Sequence, residues 1–247
     1  MESGYGRHYR DLYRRHWWWR ARERAVLSVI RHHVAADQKQ HILDVGCGDG
    51  LIFDQLAPFG EVEGVEVESE LVDPNGPHYR RIHITPFDAH FKAARLFSLI
   101  LMLDVLEHLD NPREALLHAH SLLAPRGALL VTVPAFLLLW TNHDVMNHHH
   151  VRYRRRTLRP LLREANFKIV EERYWYQWTC PVKLGVRLTE RLLRQAPSVP
   201  SVPPAWINQP LYAMSRIEQE TLGAIGVPFG STLMAYCEKR EIEGTIS

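Results

Sequence analysis

From residue 41 onward, short apolar runs alternate along the chain with stretches whose apolar residues recur at helical spacing. The apolar runs predict strands over residues 41–45, 61–67, 81–85, 97–103, 128–133 and 167–174. Helices are predicted to begin after Gly48, after Asn111 and near Thr157. Because strands that alternate with helices are joined by right-handed crossovers, this pattern predicts a doubly wound α/β fold with a mostly parallel sheet.

The two ends of the chain depart from this alternation. Residues 8–34 carry apolar side chains at helical spacing with arginines on the other face, which predicts one or two N-terminal amphipathic helices. Residues 175–229 are rich in proline and aromatic side chains and precede a last strand-like run, STLMAYCEK. A connection of this length is either functional or a small subdomain. We therefore divide the chain into an N-terminal helical extension (1–40), a core (41–174 plus 231–240) and a helical insertion (175–230) that caps the ligand crevice.

Composition narrows the class of protein. The formal net charge is only +2, and the one dense basic block is RYRRR at residues 152–156, which does not fit a dedicated nucleic-acid-binding protein. The most apolar stretch, residues 128–140, is short for a membrane span and contains Pro134. We expect a soluble, cytoplasmic protein that does not bind nucleic acid, and peripheral contact with a membrane surface is left open.

Cysteines and histidines do not predict a resident metal. The cysteines Cys47, Cys180 and Cys237 lie far apart without a CxxC pair, which is typical of buried thiols in a reducing compartment. The run NHHHV contains three consecutive histidines, residues 148–150. Adjacent side chains point in different directions in a strand or a helix, so such a run seldom converges on one ion. We therefore predict no metal.

The segment HILDVGCGDG, residues 41–50, joins a predicted strand to a predicted helix. Glycine is needed where the backbone adopts positive φ or approaches a ligand closely, and the amides of such a turn favour anionic groups. Glu66 ends the next strand, where a carboxylate can accept hydrogen bonds from the ribose hydroxyls of an adenosine. These features predict an adenosine-containing cofactor. Leu51 replaces the third glycine of the GxGxxG fingerprint, which disfavours an NAD-dependent oxidoreductase.

Four motifs, LDVGCGDG, GVEVES, LILMLDVLEHLDNP and GALLVTVP, resemble in this order the motif series of class I S-adenosylmethionine-dependent methyltransferases. The resemblance covers residues 41–174, and NHDVMNHHHVRYRRRTLRPLLREANFKIVEE resembles a segment of the bacterial small-molecule and lipid-quinone type. Phe97 and Ser98 depart from the pattern, since relatives usually carry Phe-Asp there. The resemblance implies a Rossmann-like fold, S-adenosylmethionine as cofactor, and methyl transfer to oxygen or nitrogen of a small or lipid-like acceptor.

Position by position, the resemblance also implies a set of cofactor contacts. Asp44, Gly46 and Gly48 would hold the methionine end, with Cys47 between the two glycines. The remaining implied contacts are Glu66 with the ribose, Val67 with the adenine ring, Asp88 with the adenine amino group, and Met102 and Leu103 along the sulfonium side. For Cys47 and Met102 the alternative is a place in the core.

Methyl transfer from a sulfonium is an in-line displacement, so the protein mainly needs to align donor and acceptor. A hydroxyl acceptor would also need a general base, and histidine suits that role. His143 and His149, after the fifth strand, are the first candidates, and His108, after the fourth strand, is the second. All three are predicted at the carboxyl side of the sheet. The alternative roles are structural: His108 caps a turn, and His143 with Asp144 fixes a loop.

Two further features bear on the acceptor. The tryptophans of HWWWR, residues 17–19, cannot all face a core, so at least one is expected to cover the acceptor site, another subunit or a lipid surface. Arg187, Arg191 and Arg194 lie at helical spacing and would face either anionic headgroups or solvent. The alternatives to a methyltransferase are a non-catalytic protein that binds an adenosyl cofactor and an NAD-dependent oxidoreductase. The sequence does not indicate an oligomeric state.

Overall fold

The computed structural model describes residues 5–34, 39–193 and 200–240, so Arg194 lies outside the described residues. The described part contains seven strands: β1 (Gln40–Val45), β2 (Gly60–Glu66), β3 (Ile82–Ile84), β4 (Phe97–Leu103), β5 (Leu123–Pro134), β6 (Phe167–Trp175) and β7 (Thr232–Lys239). It contains eight α-helices: α1 (Tyr5–Arg15), α2 (Trp17–His33), α3 (Phe53–Leu56), α4 (Pro112–Leu122), α5 (Asn142–Met146), α6 (Arg155–Glu164), α7 (Thr179–Leu193) and α8 (Ala205–Ile225).

The strands form one sheet in the order β3-β2-β1-β4-β5-β7-β6. Strands β1 to β5 pair in parallel, and β7 lies antiparallel between β5 and β6. Each predicted apolar run matches one of these strands, with runs 61–67 and 81–85 extending one residue beyond β2 and β3, and the prediction of a doubly wound, mostly parallel sheet is confirmed. The order reverses between β1 and β4, the place where ligands bind in such sheets.

Strand β4 shows how the sequence builds a core on both faces of the sheet. Its side chains alternate between the two faces because successive residues of a strand point in opposite directions. Leu99 and Leu101 pack on the side of α2 and α3, whereas Ile100 and Met102 pack on the side of α4 and α6. All four are fully buried. A continuous apolar run is therefore required here, as in any parallel strand covered on both faces.

The N-terminal segment belongs to this core. Helix α2 begins at Trp17, and the Nδ1 atom of His16 accepts the amide of Trp18 at 3.1 Å, which caps the helix. Its buried stripe includes Ala21, Ala25, Val26 and Ile30, which pack on the sheet. One buried position of the same stripe is Arg22. The division of the chain into extension, core and insertion stays a prediction.

The helical insertion lies against the N-terminal helices. The side chain of Asn208 on α8 accepts the amide of Trp17 at 2.8 Å, and the rings of Trp17 and Trp178 lie 5.1 Å apart. Trp19 is buried and Trp18 is half-buried beside Tyr176. The three consecutive tryptophans thus all contact other parts of this chain.

Two details concern the helices. The helix predicted after Gly48 is reduced to the single turn of α3, because residues 46–52 are taken up by tight turns and β2 already begins at Gly60. Helix α4 begins where predicted, since the side chain of Asn111 accepts the amide of Glu114 at 3.3 Å. Among the described residues, no helix has the length and apolar character needed to cross a bilayer.

Candidate active site

The glycine loop, residues 46–50, leaves β1 at the carboxyl edge of the sheet. Gly46, Gly48 and Gly50 have φ values of +71°, +54° and +67°, a conformation that favours glycine. A Cβ atom on Gly46 would lie 3.0 Å from the side chain of Val105. At Gly48 the nearest atom would be Cε1 of Tyr9, at 4.0 Å. The loop therefore leaves space over the backbone of Gly48 in which a ligand fits.

Two buried carboxylates flank this space. Oε2 of Glu66 accepts the amide of Gly48 at 2.8 Å, and Oε1 accepts the amides of Val67 and Glu68 at 2.8 and 3.0 Å. Asp44 is the last residue but one of β1, and burial raises the pKa of its carboxyl to about 7, with the charge of Arg22 acting in the opposite direction. These carboxylate acceptors suit S-adenosylmethionine, because its amino group and ribose hydroxyls donate hydrogen bonds.

Helix α1 covers the same loop. Nη1 of Arg10 lies 2.7 Å from Oδ2 of Asp49, and Oδ1 of Asp49 accepts the amide of Asp73 at 2.8 Å. The aspartate of the glycine loop therefore ties α1 to the segment that follows β2. This arrangement helps to hold the backbone of the loop in place.

The other predicted cofactor residues lie in different environments. Val67 is 62% exposed directly after β2, and Asp88 is exposed in the loop after β3. Leu103 is half-buried at the end of β4, whereas Met102 is fully buried in the core. Cys47 is buried as well, and burial raises the pKa of its thiol. The cofactor contacts of these five residues stay predictions.

The three predicted histidines come together at the same edge of the sheet and form the histidine cluster (His108, His143 and His149). The ring centroids of His108 and His149 are 4.7 Å apart, and those of His143 and His149 are 6.4 Å apart. The turn after β4 and the loop after α5 are joined by a hydrogen bond from the amide of His150 to the carbonyl of Glu107 at 2.8 Å.

Asp144 holds this cluster in place through hydrogen bonds to its neighbours. Its side chain is fully buried and lies 2.9 Å from Nδ1 of His149. It accepts two hydrogen bonds from Arg152, at 2.8 and 2.9 Å, and the amide of Thr141 at 2.9 Å. Burial alone would raise the pKa of Asp144, but the bonds from His149 and Arg152 hold it well below its usual value. Because the ionised carboxylate only accepts, Nδ1 of His149 carries the proton of this hydrogen bond.

The surroundings of His108 and His143 favour the neutral form of each ring. Both keep part of their surface exposed, yet the protein packed around them lowers each pKa to about 4. The neighbouring His149 adds to this effect at His108, and Lys183 adds to it at His143. Burial also lowers the pKa of Lys183 itself to about 8. The insertion thus contributes a cation to the cluster through α7, which the sequence interpretation missed.

Arg22 and Glu107 were also missed. Nη2 of Arg22 lies 2.8 Å from Oδ2 of Asp104, and Thr132 donates to the other oxygen of Asp104 at 3.1 Å. An arginine inside the apolar stripe of α2 was the available signal. Glu107 is fully buried, and burial raises the pKa of its carboxyl. Its signal was an acid in an otherwise apolar turn, LEHL.

A family described as a methyltransferase domain matches residues 16–172 of this chain. The chain belongs to this family of class I S-adenosylmethionine-dependent methyltransferases. A ubiquinone biosynthesis O-methyltransferase of Coxiella burnetii (strain RSA 493 / Nine Mile phase I) is 32% identical over 110 residues, which are 42% of this chain and 47% of the relative. One of Rickettsia canadensis (strain McKiel) is 26% identical over 115 residues, 43% of this chain and 48% of the relative. The chain spans about half the length of the curated relatives it matches.

Solved structures share the fold. The complex of the Haloferax volcanii Trm112 methyltransferase activator with a putative methyltransferase matches with a TM-score of 0.61 at 14% identity, covering 98% of this chain and 96% of the other. The N-methyltransferase NodS of Bradyrhizobium japonicum WM9 with S-adenosyl-L-homocysteine matches with 0.53 at 17% identity, covering 90% and 88%. The predictions of the family, the fold and S-adenosylmethionine as cofactor are confirmed, and the roles of single residues stay predictions.

Proposed function

We propose that this protein transfers a methyl group from S-adenosylmethionine to a hydroxyl group of a small or lipid-like acceptor, with an amine as the alternative acceptor. The observation that carries the proposal is His149, which Asp144 orients at 2.9 Å beside two imidazoles with lowered pKa, His108 and His143, at the edge that also carries the glycine loop. The similarity to ubiquinone biosynthesis O-methyltransferases supports an oxygen acceptor.

The cofactor side needs no chemistry from the protein beyond binding. When bound, S-adenosylmethionine supplies a methyl group on a positively charged sulfur that leaves with the electron pair of the broken bond. In our proposal, Gly48 leaves room for it, Glu66 accepts hydrogen bonds from the ribose, and Asp44 in its ionised form accepts from the amino group. These contacts fix the methyl group relative to the histidine cluster, and alignment of this kind can lower a reaction barrier by about 7–11 kcal/mol.

On the acceptor side, His149 prepares the nucleophile. The lone pair on its Nε2 accepts a hydrogen bond from the acceptor hydroxyl, and the proton leaves the oxygen as the new bond to carbon forms. Asp144 keeps Nδ1 protonated and stabilises the positive charge that develops on the ring. His143 is the second imidazole within reach of the same oxygen, 6.4 Å from His149 between ring centroids.

Helix α7 supports the lipid-like character of the acceptor. It exposes a set of apolar side chains: Val182, Leu184, Val186, Leu188, Leu192 and Leu193. The turn after β5 adds two exposed leucines, Leu137 and Leu138. Arg191 lies in the last turn of the same helix, and a cation beside exposed apolar side chains supports peripheral contact with an anionic lipid surface.

The test is an acceptor screen with matched variants. The chain is incubated with S-adenosylmethionine and phenols or catechols of increasing alkyl length, and S-adenosylhomocysteine is measured. His149→Ala should lower kcat by about 10²–10⁴-fold, because a positioned general base contributes that much. His150→Ala is the control, since its ring pairs with Asp110 at 3.2 Å outside the cluster. Tight binding of S-adenosylhomocysteine without turnover on any acceptor class would favour the non-catalytic binding protein instead.

A further inference from the structure

Two members of the histidine cluster and the neighbouring Glu107 together form a possible set of metal ligands. Glu107, His108 and His149 each offer a ligand atom, and these atoms all lie within 4.8 Å of one another. Glu107 is 0% exposed, and neither of its carboxylate oxygens accepts a hydrogen bond from any residue within the described ranges. A buried carboxylate without a partner costs several kcal/mol unless a positive charge meets it.

The two histidines are oriented in the way that metal ligands usually are. Asp144 engages Nδ1 of His149 at 2.9 Å, and the backbone of Asn147 hydrogen-bonds the ring of His108. Imidazoles that bind a metal through one ring nitrogen almost always donate the other N–H to a carboxylate or a carbonyl. In both rings one nitrogen is therefore engaged by the protein.

We propose that Glu107, His108 and His149 bind one divalent transition-metal ion beside the acceptor. Two imidazoles and one carboxylate form the ligand set of catalytic zinc sites that keep a position open for substrate. The sequence predicted no metal because three adjacent histidines rarely converge, and only one of the three in NHHHV takes part here. The other two ligands come from the LEHL turn. His108 lies 41 residues before His149 in the sequence, and Glu107 lies 42 residues before it.

The role of the ion rests on the proposed methyl transfer, whereas its binding does not. An ion at this position coordinates the acceptor oxygen and lowers the pKa of its hydroxyl. The proton then passes to His143, and the oxygen keeps the electron pair that forms the bond to the methyl carbon. With the ion bound, His149 is one of its ligands, so His143 takes over the role of proton acceptor that His149 has in the metal-free scheme.

The experiment is a metal titration of the full chain purified without a histidine tag and freed of metal with a chelator. Zinc binding is followed by calorimetry and cobalt binding by visible absorption. One ion per chain is expected, and His108→Ala, His149→Ala and Glu107→Gln should each weaken binding at least about 100-fold. Asp144→Asn should weaken it about 10–100-fold, the usual effect of a residue that orients a ligand. His150→Ala should bind as the unchanged protein does.

Each variant is also titrated with S-adenosylhomocysteine, whose retained affinity shows that the chain is folded. The proposal is overturned if the unchanged protein binds no ion, or if both histidine variants bind zinc as tightly as the control does. Zinc binding with the expected variant pattern but no methyl transfer to any acceptor would leave the metal site standing and remove the proposed function. Full turnover after removal of the metal would overturn the catalytic role of the ion.

Discussion

The two halves of the site are built in different ways. The cofactor side, which comprises the glycine loop and the acids Asp44 and Glu66, is made largely from backbone amides that a side-chain carboxylate holds in place. The acceptor side, which comprises the histidine cluster with Asp144 and Arg152, is made from side chains that bond to one another: Asp144 holds His149 and Arg152 from the same stretch of chain, and His108 joins them from the turn after β4.

The two aspartates express this difference most directly. Asp44 has no arginine hydrogen-bonded to it among the contacts of the described residues, and burial raises its pKa to about 7. Asp144 is at least as buried, yet Arg152 and His149 hold its pKa well below the usual value. A buried carboxylate whose hydrogen-bond donors come from a ligand has a raised pKa in the free protein. A buried carboxylate that positions other side chains accepts its hydrogen bonds from the protein and has a lowered pKa.

The largest expected effect is on stability at the acceptor side. Asp144→Asn should lower the free energy of unfolding by about 3–5 kcal/mol, because it leaves the buried guanidinium of Arg152 without its counter-charge. Urea denaturation measures the change, and Asp110→Asn, an exposed aspartate near the cluster, is the control. At a urea concentration where the variant is folded, its affinity for S-adenosylhomocysteine should be unchanged. A decrease in the free energy of unfolding below about 1 kcal/mol would show that the Asp144–Arg152 ion pair does not stabilise the acceptor side.

The next effect is on cofactor binding alone. Gly48→Val should weaken binding of S-adenosylhomocysteine more than about 100-fold, or about 2.7 kcal/mol, because its side chain fills the space over the loop. Calorimetric titration measures the affinity. Gly226→Val is the matched control, since Gly226 also has a positive φ of +71° but nothing within 4 Å. Equal affinity in the two variants would mean that the cofactor does not lie over Gly48.

A smaller effect is expected from the acid at the end of β2. Glu66→Ala should weaken cofactor binding by about 1.5–3 kcal/mol, the contribution of hydrogen bonds to a charged group. Glu61→Ala, at the other end of the same strand, should leave the affinity unchanged because Glu61 is exposed and pairs with Arg95. The same calorimetric titration applies, and an unaltered affinity in Glu66→Ala would point to another acid as the ribose ligand.

The smallest effect concerns pH. Asp44 accepts from the cofactor only when ionised, so its raised pKa of about 7 makes protonation compete with binding below that pH. Affinity for S-adenosylhomocysteine should therefore fall about tenfold between pH 8 and pH 6, equivalent to about 1.4 kcal/mol. Asp44→Asn should bind more weakly but lose this pH dependence. If the variant keeps it, another group carries the titration.

The same contrast explains what the sequence could predict. Gly46, Gly48 and Glu66 act through local backbone geometry and fixed spacing, so their pattern can be recognised in the amino-acid sequence. Arg22 and Lys183 approach the site from α2 and α7, and only the packing of those helices on the sheet brings them there. The strands were predictable because a buried parallel sheet demands continuous apolar runs. The short α3 was not, because tight turns around the glycine loop override helical spacing.

The antiparallel strand β7 has a consequence for how this chain folds. Strand β6 lies at the edge of the sheet and reaches the other strands only through β7, which follows it after the whole of α7 and α8. During synthesis at about 5–20 residues per second, β6 therefore waits several seconds with both edges unpaired. Such an edge is open to pairing with other chains until residues 232–239 emerge. The sheet can therefore be completed only after β7 has been synthesised, long after the residues of both halves of the site have been made.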